Sequence, residues 1–159
     1  METIEINLYA FDELDDEAKE RARDWWRDGL DYPWFQESID SVRTFIEHFG
    51  ADLRDWNMGE RGRDYIKTNI NKAHFRGHKL KDYSPDYMPT GYCLDATLWG
   101  TFHKEWEATS DPMYAFRQAL EAALSDIASD IEYQYTDEAV DESLRINEYR
   151  FTEDGRLYR

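Results

Sequence analysis

The charge of this chain is the strongest constraint on how it can fold. It has 35 Asp and Glu residues against 19 Lys and Arg, which gives a formal net charge of −16 in 159 residues. A chain this acidic with few aromatic residues is typical of a disordered segment. Here 16% of the residues are aromatic, and they supply enough apolar surface for a core. The composition therefore predicts a folded domain with an acidic exterior, which repels nucleic acid and attracts basic protein surfaces.

The length predicts a single domain over residues 1–159. The one cysteine, Cys93, excludes an internal disulfide framework and suits a reducing compartment. No run reaches the ~20 apolar residues of a membrane span, and the first residues lack the basic and apolar pattern of an export signal. We therefore expect a cytoplasmic protein that makes no contact with membranes.

The charge is distributed unevenly along the chain. Residues 1–50 hold 14 acidic and 5 basic residues, and residues 105–159 hold the same numbers. Residues 51–81 hold 4 acidic and 8 basic residues, so the middle segment, 51–91, is mildly basic. Neutralisation of the acidic ends is the favoured role of this middle segment, and binding of single-stranded nucleic acid is the alternative.

Apolar periodicity predicts an α+β fold in which about five helices pack on a small, mostly antiparallel sheet. The alternation of Ile4, Ile6 and Leu8 predicts an N-terminal strand over Thr3–Tyr9. We expect a central pair of strands around a turn at Gly59–Gly62 and a C-terminal hairpin that joins Glu148–Thr152 to Arg156–Tyr158. The predicted helices end near residues 28, 49, 110, 135 and 144, and 77–91 is a long irregular connection.

Two predicted helices near the end of the chain carry the most unbalanced charge. No basic residue lies between Arg117 and Arg145, although lysines could have been interleaved without penalty. Such a row imitates the charge of a nucleic-acid backbone, while solubility alone is the competing explanation. The candidate partner-binding residues in this region are Glu121, Asp126, Asp130, Glu132, Asp137, Glu138, Asp141 and Glu142.

The first helix adds a second group of candidates, Glu17, Glu20 and Asp24. Arginines interleave with these carboxylates, and Glu17 with Arg21 and Asp24 with Arg27 have the spacing of helical ion pairs, so a solvated, salt-bridged face is the favoured interpretation. Trp26 is a candidate anchor for a partner because adjacent Trp residues on a helix cannot both face one core. Packing within the protein is the slightly preferred alternative for Trp26.

The sequence indicates no catalytic or metal site. It lacks the phosphate-binding, dinucleotide-binding, zinc-protease and serine-hydrolase motifs, which favours a protein that is not an enzyme. His74, His78, Cys93 and His103 could in principle form a zinc tetrad, but Gly77 argues against a helix that would align the first two. We expect surface histidines and a core cysteine, and no metal or cofactor.

Three blocks of the sequence resemble those of a known family. They are Asp12–Lys19 through Trp25-Trp26-Arg27, Thr101–Glu105 and Asn147–Gly155. They are similar to small phage and prophage proteins labelled "antitoxin of a toxin–antitoxin stability system". The resemblance touches both ends of the chain, and the 51–91 segment is its least typical part. It implies bacteriophage origin and action in the cytoplasm of a bacterial host, and it brings no active-site residues.

The leading functional hypothesis is a non-enzymatic inhibitor that binds a basic, nucleic-acid-binding defence protein of the host, in the manner of anti-CRISPR or anti-restriction proteins. The alternative is an antitoxin that neutralises a cognate toxin and regulates its own operon. A third possibility is a nucleic-acid-processing enzyme with an unrecognised motif. Direct DNA binding is not expected, because the sequence contains no helix-turn-helix with a basic recognition helix.

Overall fold

A computed structural model describes residues 1–58 and 63–158. The predicted α+β class and the number of helices are confirmed for this part of the chain, which contains five α-helices and one two-stranded antiparallel sheet. The elements are α1 Asp16–Asp28, α2 Phe35–His48, β1 Leu53–Asn57, β2 Tyr65–Thr68, α3 Leu94–Thr109, α4 Pro112–Gln134 and α5 Asp137–Ile146.

Capping residues decide where the helices begin. The side chain of Asp15 accepts a hydrogen bond from the Ala18 N–H at 2.8 Å and starts α1. Asp111 accepts one from the Tyr114 N–H at 3.1 Å, and Pro112 follows as the first residue of α4. The first turn of a helix has unpaired N–H groups at these positions, so both aspartates act as N-caps.

The contacts divide the chain into two units, which we call the terminal unit and the central unit. The terminal unit comprises Met1–Tyr32 and Glu132–Arg159, and the central unit comprises Pro33–Ile131. Helices α1 and α5 belong to the terminal unit, whereas α2, α3 and both strands belong to the central unit.

Aromatic rings fill the core of the central unit. Phe45 of α2 stacks on Phe116 of α4 with ring centroids 5.0 Å apart, and it meets Trp99 of α3 edge-on at 4.9 Å. These side chains are almost completely buried. Strand β1 pairs with β2, with Trp56 opposite Ile66, so the predicted central pair of strands is confirmed. The predicted turn at Gly59–Gly62 lies outside the described residues.

The predicted contribution of the two chain ends to the sheet is wrong. Among the described residues near the ends, backbone pairing is limited to isolated bridges, Tyr9 with Phe151 and Phe151 with Leu157. A 3-10 helix at Phe11–Glu13 begins two residues after Tyr9, and a turn closed by the hydrogen bond from the Gly155 N–H to the Thr152 carbonyl follows Phe151. These turns interrupt the ladder on both sides, so neither an N-terminal strand nor a C-terminal hairpin is formed within residues 1–58 and 63–158.

Candidate partner-binding surface

Helices α1 and α5 of the terminal unit pack through small and branched apolar side chains. Ala18 and Ala22 of α1 and Val140 and Leu144 of α5 are buried in one cluster with Phe151. The alanines allow the two helix backbones to approach closely, and this fixes which polar faces lie beside each other. The polar rows that flank this contact are therefore positioned by the apolar core.

Two arginines of α1 are paired with two aspartates of α5. Nε of Arg23 donates to Oδ1 of Asp141 at 2.7 Å, and Nη2 donates to Oδ2 at 2.9 Å. Arg27 forms a second ion pair, with Asp137. The hydrogen bond to Asp141 raises the pKa of Arg23 above its ordinary value, although partial burial acts in the opposite direction. Asp137 and Asp141 are thus neutralised within the protein.

From the sequence, Arg23 and Arg27 were expected to pair with carboxylates of α1, and their contact with α5 was not predicted. The sequence does contain one indication of this contact. Each helix has two residues of one charge four positions apart, and residues four apart share a helix face. Arg23 and Arg27 have that spacing, and so do Asp137 and Asp141. Recognising the match also requires knowledge that α1 and α5 are neighbours, which the sequence pattern did not supply.

Glu138 and Glu142 form a separate acidic row on α5. They lie about 100° around the helix from Asp137 and Asp141, given about 100° of rotation per residue. Both glutamates are exposed, and neither forms an ion pair with any residue that the structure describes. This row is a part of the predicted acidic region that can offer uncompensated charge to another molecule.

The candidate carboxylates of α1 form ion pairs with arginines of the same helix, two of which they share with α5. Glu17 pairs with Arg21 at 2.9 Å, and Glu20 pairs with Arg23 at 3.1 Å. Asp24 lies 3.7 Å from Arg27. The predicted pairs of Glu17 with Arg21 and of Asp24 with Arg27 are confirmed, and a salt-bridged face describes this helix well.

The carboxylates of α4 in the central unit do not form one row. Glu121 is exposed and lies about 140° around the helix from Asp126, by the rotation of an α-helix. The hydroxyl of Thr97 donates a hydrogen bond to Asp126. Asp130 follows Asp126 on the same side of α4 and is partly buried. Glu132, which is exposed, belongs to the terminal unit.

Trp26 is half-buried in an aromatic cluster of the terminal unit. Its ring lies 6.2 Å from that of Trp25 and 6.1 Å from that of Tyr149. Trp25 meets Tyr149 edge-on at 5.4 Å. Packing inside the protein therefore occupies much of the Trp26 side chain, while its remaining exposed part stays available for contact.

The four candidate metal ligands have separate surroundings. His74 Nδ1 accepts a hydrogen bond from the Asn71 N–H. Nδ1 of His78 is hydrogen-bonded to the Tyr83 hydroxyl, and Nδ1 of His103 lies 3.9 Å from Oε2 of Glu107. No group of three or more His, Cys, Asp or Glu residues suited to a metal ion occurs among residues 1–58 and 63–158.

The prediction of a core position for Cys93 is wrong. Cys93 is exposed at the N-cap position of α3, and burial begins at the next residue, Leu94.

The mildly basic middle segment lines a groove of about 660 Å³ in the central unit. The groove lies between β2 and α4, with Ile66, Leu120 and Leu124 among its apolar lining residues. Arg63, Lys67 and Arg117 also line it, and the candidate residue Glu121 shares it with them. The groove therefore places two acidic residues, Asp64 and the candidate Glu121, beside three basic ones.

Within the described residues, none of the helices has the length and apolar character needed to cross a membrane.

No protein-family model matches this sequence, and comparisons with curated proteins and with solved structures gave no match either.

Proposed function

We propose that this protein is a non-enzymatic inhibitor that binds a basic, nucleic-acid-binding surface of a host defence protein. The exposed row formed by Glu138 and Glu142 on α5 is its charged contact, and the paired carboxylates of α1 lie on the neighbouring helix. The resemblance to small phage proteins supports a phage-encoded inhibitor of the anti-CRISPR or anti-restriction type, which acts in the cytoplasm of a bacterial cell.

The observation that carries the proposal is the contrast between two rows on one helix. Asp137 and Asp141 have arginine partners on α1, whereas Glu138 and Glu142 are exposed without an ion pair among the described residues. Like charges four residues apart destabilise a helix by about 0.2–0.5 kcal/mol. The row of Glu138 and Glu142 carries this repulsion without arginine partners, whereas the adjacent row of aspartates has them. This contrast supports a role of the glutamate row in recognising a partner.

The distribution of charge between the two units supports the same surface. The terminal unit has 19 acidic and 8 basic residues, a net charge of −11, although it holds 60 of the 159 residues. The field of such a unit speeds association with a basic partner and excludes acidic ones. Carboxylates about 6 Å apart along a helix also offer a coarse imitation of phosphate spacing.

The proposal is tested by capture of bacterial lysate proteins on the immobilised full chain. We expect the captured protein to bind nucleic acid, to be displaced by duplex DNA or guide RNA, and to dissociate as salt rises from about 0.05 to about 0.5 M. Inhibition is then measured as loss of nucleic-acid binding or cleavage by the purified target. A partner retained in high salt and indifferent to nucleic acid would contradict the proposal.

A matched pair of variants separates this row from net charge. Glu138→Lys with Glu142→Lys should abolish capture and inhibition. Glu37→Lys with Glu47→Lys changes the net charge equally at exposed positions of the central unit and should leave binding within a few-fold of the parent. Equal losses in both variants would assign the binding to overall charge alone.

The antitoxin alternative gives a different result in a second assay. An antitoxin that regulates its own operon shifts DNA from its own promoter in a gel, whereas the proposed inhibitor leaves that DNA unshifted.

A further inference from the structure

The segment Glu2–Leu8 has no partner within the part of the chain that the structure describes. Residues 1–8 are all exposed, including Ile4 at 79% and Ile6 at 53%. Their backbone groups make no hydrogen bond to any other described residue. Exposed branched apolar side chains that alternate with polar ones are typical of a strand that pairs with another chain.

The hydrogen bonding of Tyr9 defines which edge of this segment is free. The Tyr9 N–H donates to the Phe151 carbonyl at 2.8 Å, and the Phe151 N–H donates to the Tyr9 carbonyl at 2.9 Å. In an extended strand the backbone groups of successive residues point to opposite edges. Continued from Tyr9, the backbone groups of Ile4, Ile6 and Leu8 therefore point away from Phe151, toward the edge that no described residue occupies.

We propose that this edge pairs with the same edge of a second copy of the chain, as an antiparallel two-fold strand pair centred on Ile6. In this register Ile6 lies opposite its own copy, Ile4 opposite Leu8 and Glu5 opposite Asn7. The pairs at residues 4, 6 and 8 each exchange two backbone hydrogen bonds. All the apolar side chains then lie on one face of the strand pair, and no carboxylate faces another.

Other registers are worse for identifiable reasons. A pair centred on Glu5 places two carboxylates opposite each other, which is destabilising, and uses the edge that Phe151 occupies. A pair centred on Ile4 places the carboxylate of Glu2 opposite the apolar side chain of Ile6. A pair centred on Leu8 runs into the 3-10 helix at Phe11–Glu13.

A second copy is the occupant that the sequence of this segment fits. Residues 1–10 contain no Pro and no Lys, the residues that commonly protect an exposed edge strand against self-pairing. The segment carries two carboxylates, Glu2 and Glu5, in a chain with a net charge of −16. Two strongly acidic molecules can therefore pair through this segment with less electrostatic repulsion than through their more acidic helices.

The test is sedimentation velocity of the full chain at increasing protein concentration. We expect a monomer–dimer equilibrium that shifts toward the dimer as salt rises from about 0.05 to about 0.5 M, because screening reduces the repulsion between two acidic copies. This salt dependence is opposite to that of the proposed partner binding, so the failure of either proposal can be recognised separately. A chain that stays monomeric at every concentration and salt level overturns the inference.

Substitutions at two exposed positions test the register. Ile6→Lys places two ammonium groups opposite each other and should yield a monomer with unchanged circular dichroism and thermal unfolding. Asn7→Lys places an ammonium group opposite Glu5 twice in each dimer and should lower the dissociation constant several-fold, whereas Asn7→Glu should raise it. Asp28→Asn makes the same change in net charge as Asn7→Lys at an exposed position of α1. Equal strengthening by both variants, or a dimer that survives Ile6→Lys, contradicts the proposed strand pair.

Discussion

Arg23 of α1 and Asp141 of α5 form a bidentate ion pair that joins two helices 118 residues apart in the sequence. Both side chains are largely buried, with 18% and 15% of their surfaces exposed. The guanidinium group of Arg23 also lies over the ring of Phe11, 5.7 Å from its centroid. A fork-to-fork geometry in partly dry surroundings makes this pair stronger than a surface contact. Arg27 and Asp137 supply an internal comparison, since Asp137 is 64% exposed.

Removal of one member of the buried pair should destabilise the protein more than removal of one member of the exposed pair. We expect Asp141→Ala to lower the free energy of unfolding by about 2–3 kcal/mol, because Arg23 is left partly buried without its main acceptor. Asp137→Ala should lower it by less than about 1 kcal/mol. Urea denaturation measures both values, and a double-mutant cycle with Arg23→Ala isolates the coupling. Equal effects at the two positions would contradict the assignment of different strengths.

The sequence predicted most of the helices because their signals are local. The cap at Asp111-Pro112 and the end of α3 near Ser110 depend on residues within one turn of the boundary. The ends of the chain were misjudged because their pairing depends on long-range contacts. Alternation at Ile4 and Ile6 predicts a strand, but it cannot tell whether a second strand lies beside it.

The candidate surface was predictable only as a list of residues. Charge counting identified the acidic region on α5, but it could not distinguish Asp141, which is tied to Arg23, from Glu142, which is exposed. That distinction depends on the packing of α1 against α5. The separation of Glu121 from Asp126 around α4 follows from helical rotation alone and could have been derived from the predicted helix.

Gly155 should not tolerate a side chain. A Cβ atom there would lie 2.1 Å from the carbonyl oxygen of Ala18 in α1, and the φ angle of Gly155 is +86°. We expect Gly155→Ala to lower the free energy of unfolding by more than about 2 kcal/mol, because it combines a clash with an unfavourable backbone conformation.

Gly77→Ala provides the matched control for Gly155. Gly77 has a φ of +79°, but a Cβ atom added to it would have nothing within 4 Å. This variant should show only the backbone penalty, about 1 kcal/mol. Thermal or urea unfolding of the two variants measures the difference, and similar losses would mean that the backbone of α1 moves away without penalty.

Asp95 of α3 should be required for the local order of the segment that precedes the helix. Its carboxylate is fully buried, and Oδ2 accepts hydrogen bonds from the Thr90 N–H at 2.9 Å, the Thr90 hydroxyl at 2.7 Å and the Gly91 N–H at 3.0 Å. Asp95→Ala removes all three acceptor contacts and should lower the free energy of unfolding by about 3 kcal/mol. Hydrogen exchange should become faster at the amides of Thr90 and Gly91. Asp86→Ala, at an exposed position nearby, is the control and should leave both rates unchanged.

His48 should make the stability of the protein depend on pH. Its ring meets the rings of Trp99 and Tyr83 edge-on at 4.9 and 5.7 Å. Desolvation, and to a smaller extent the nearby charge of His78, lowers the pKa of His48 below its ordinary value near 6.5. The unfolded chain therefore takes up this proton more readily than the folded one, so the contribution of His48 is fully present above pH 6.5 and is lost as the pH falls below it. His48→Phe keeps a ring at this position without a titrating group. We expect the free energy of unfolding of the parent, minus that of His48→Phe, to decrease between about pH 8 and about pH 5, as measured by urea denaturation at each pH. A difference that stays constant or increases over this interval would show that the folded protein accepts the proton on His48 as readily as the unfolded chain does.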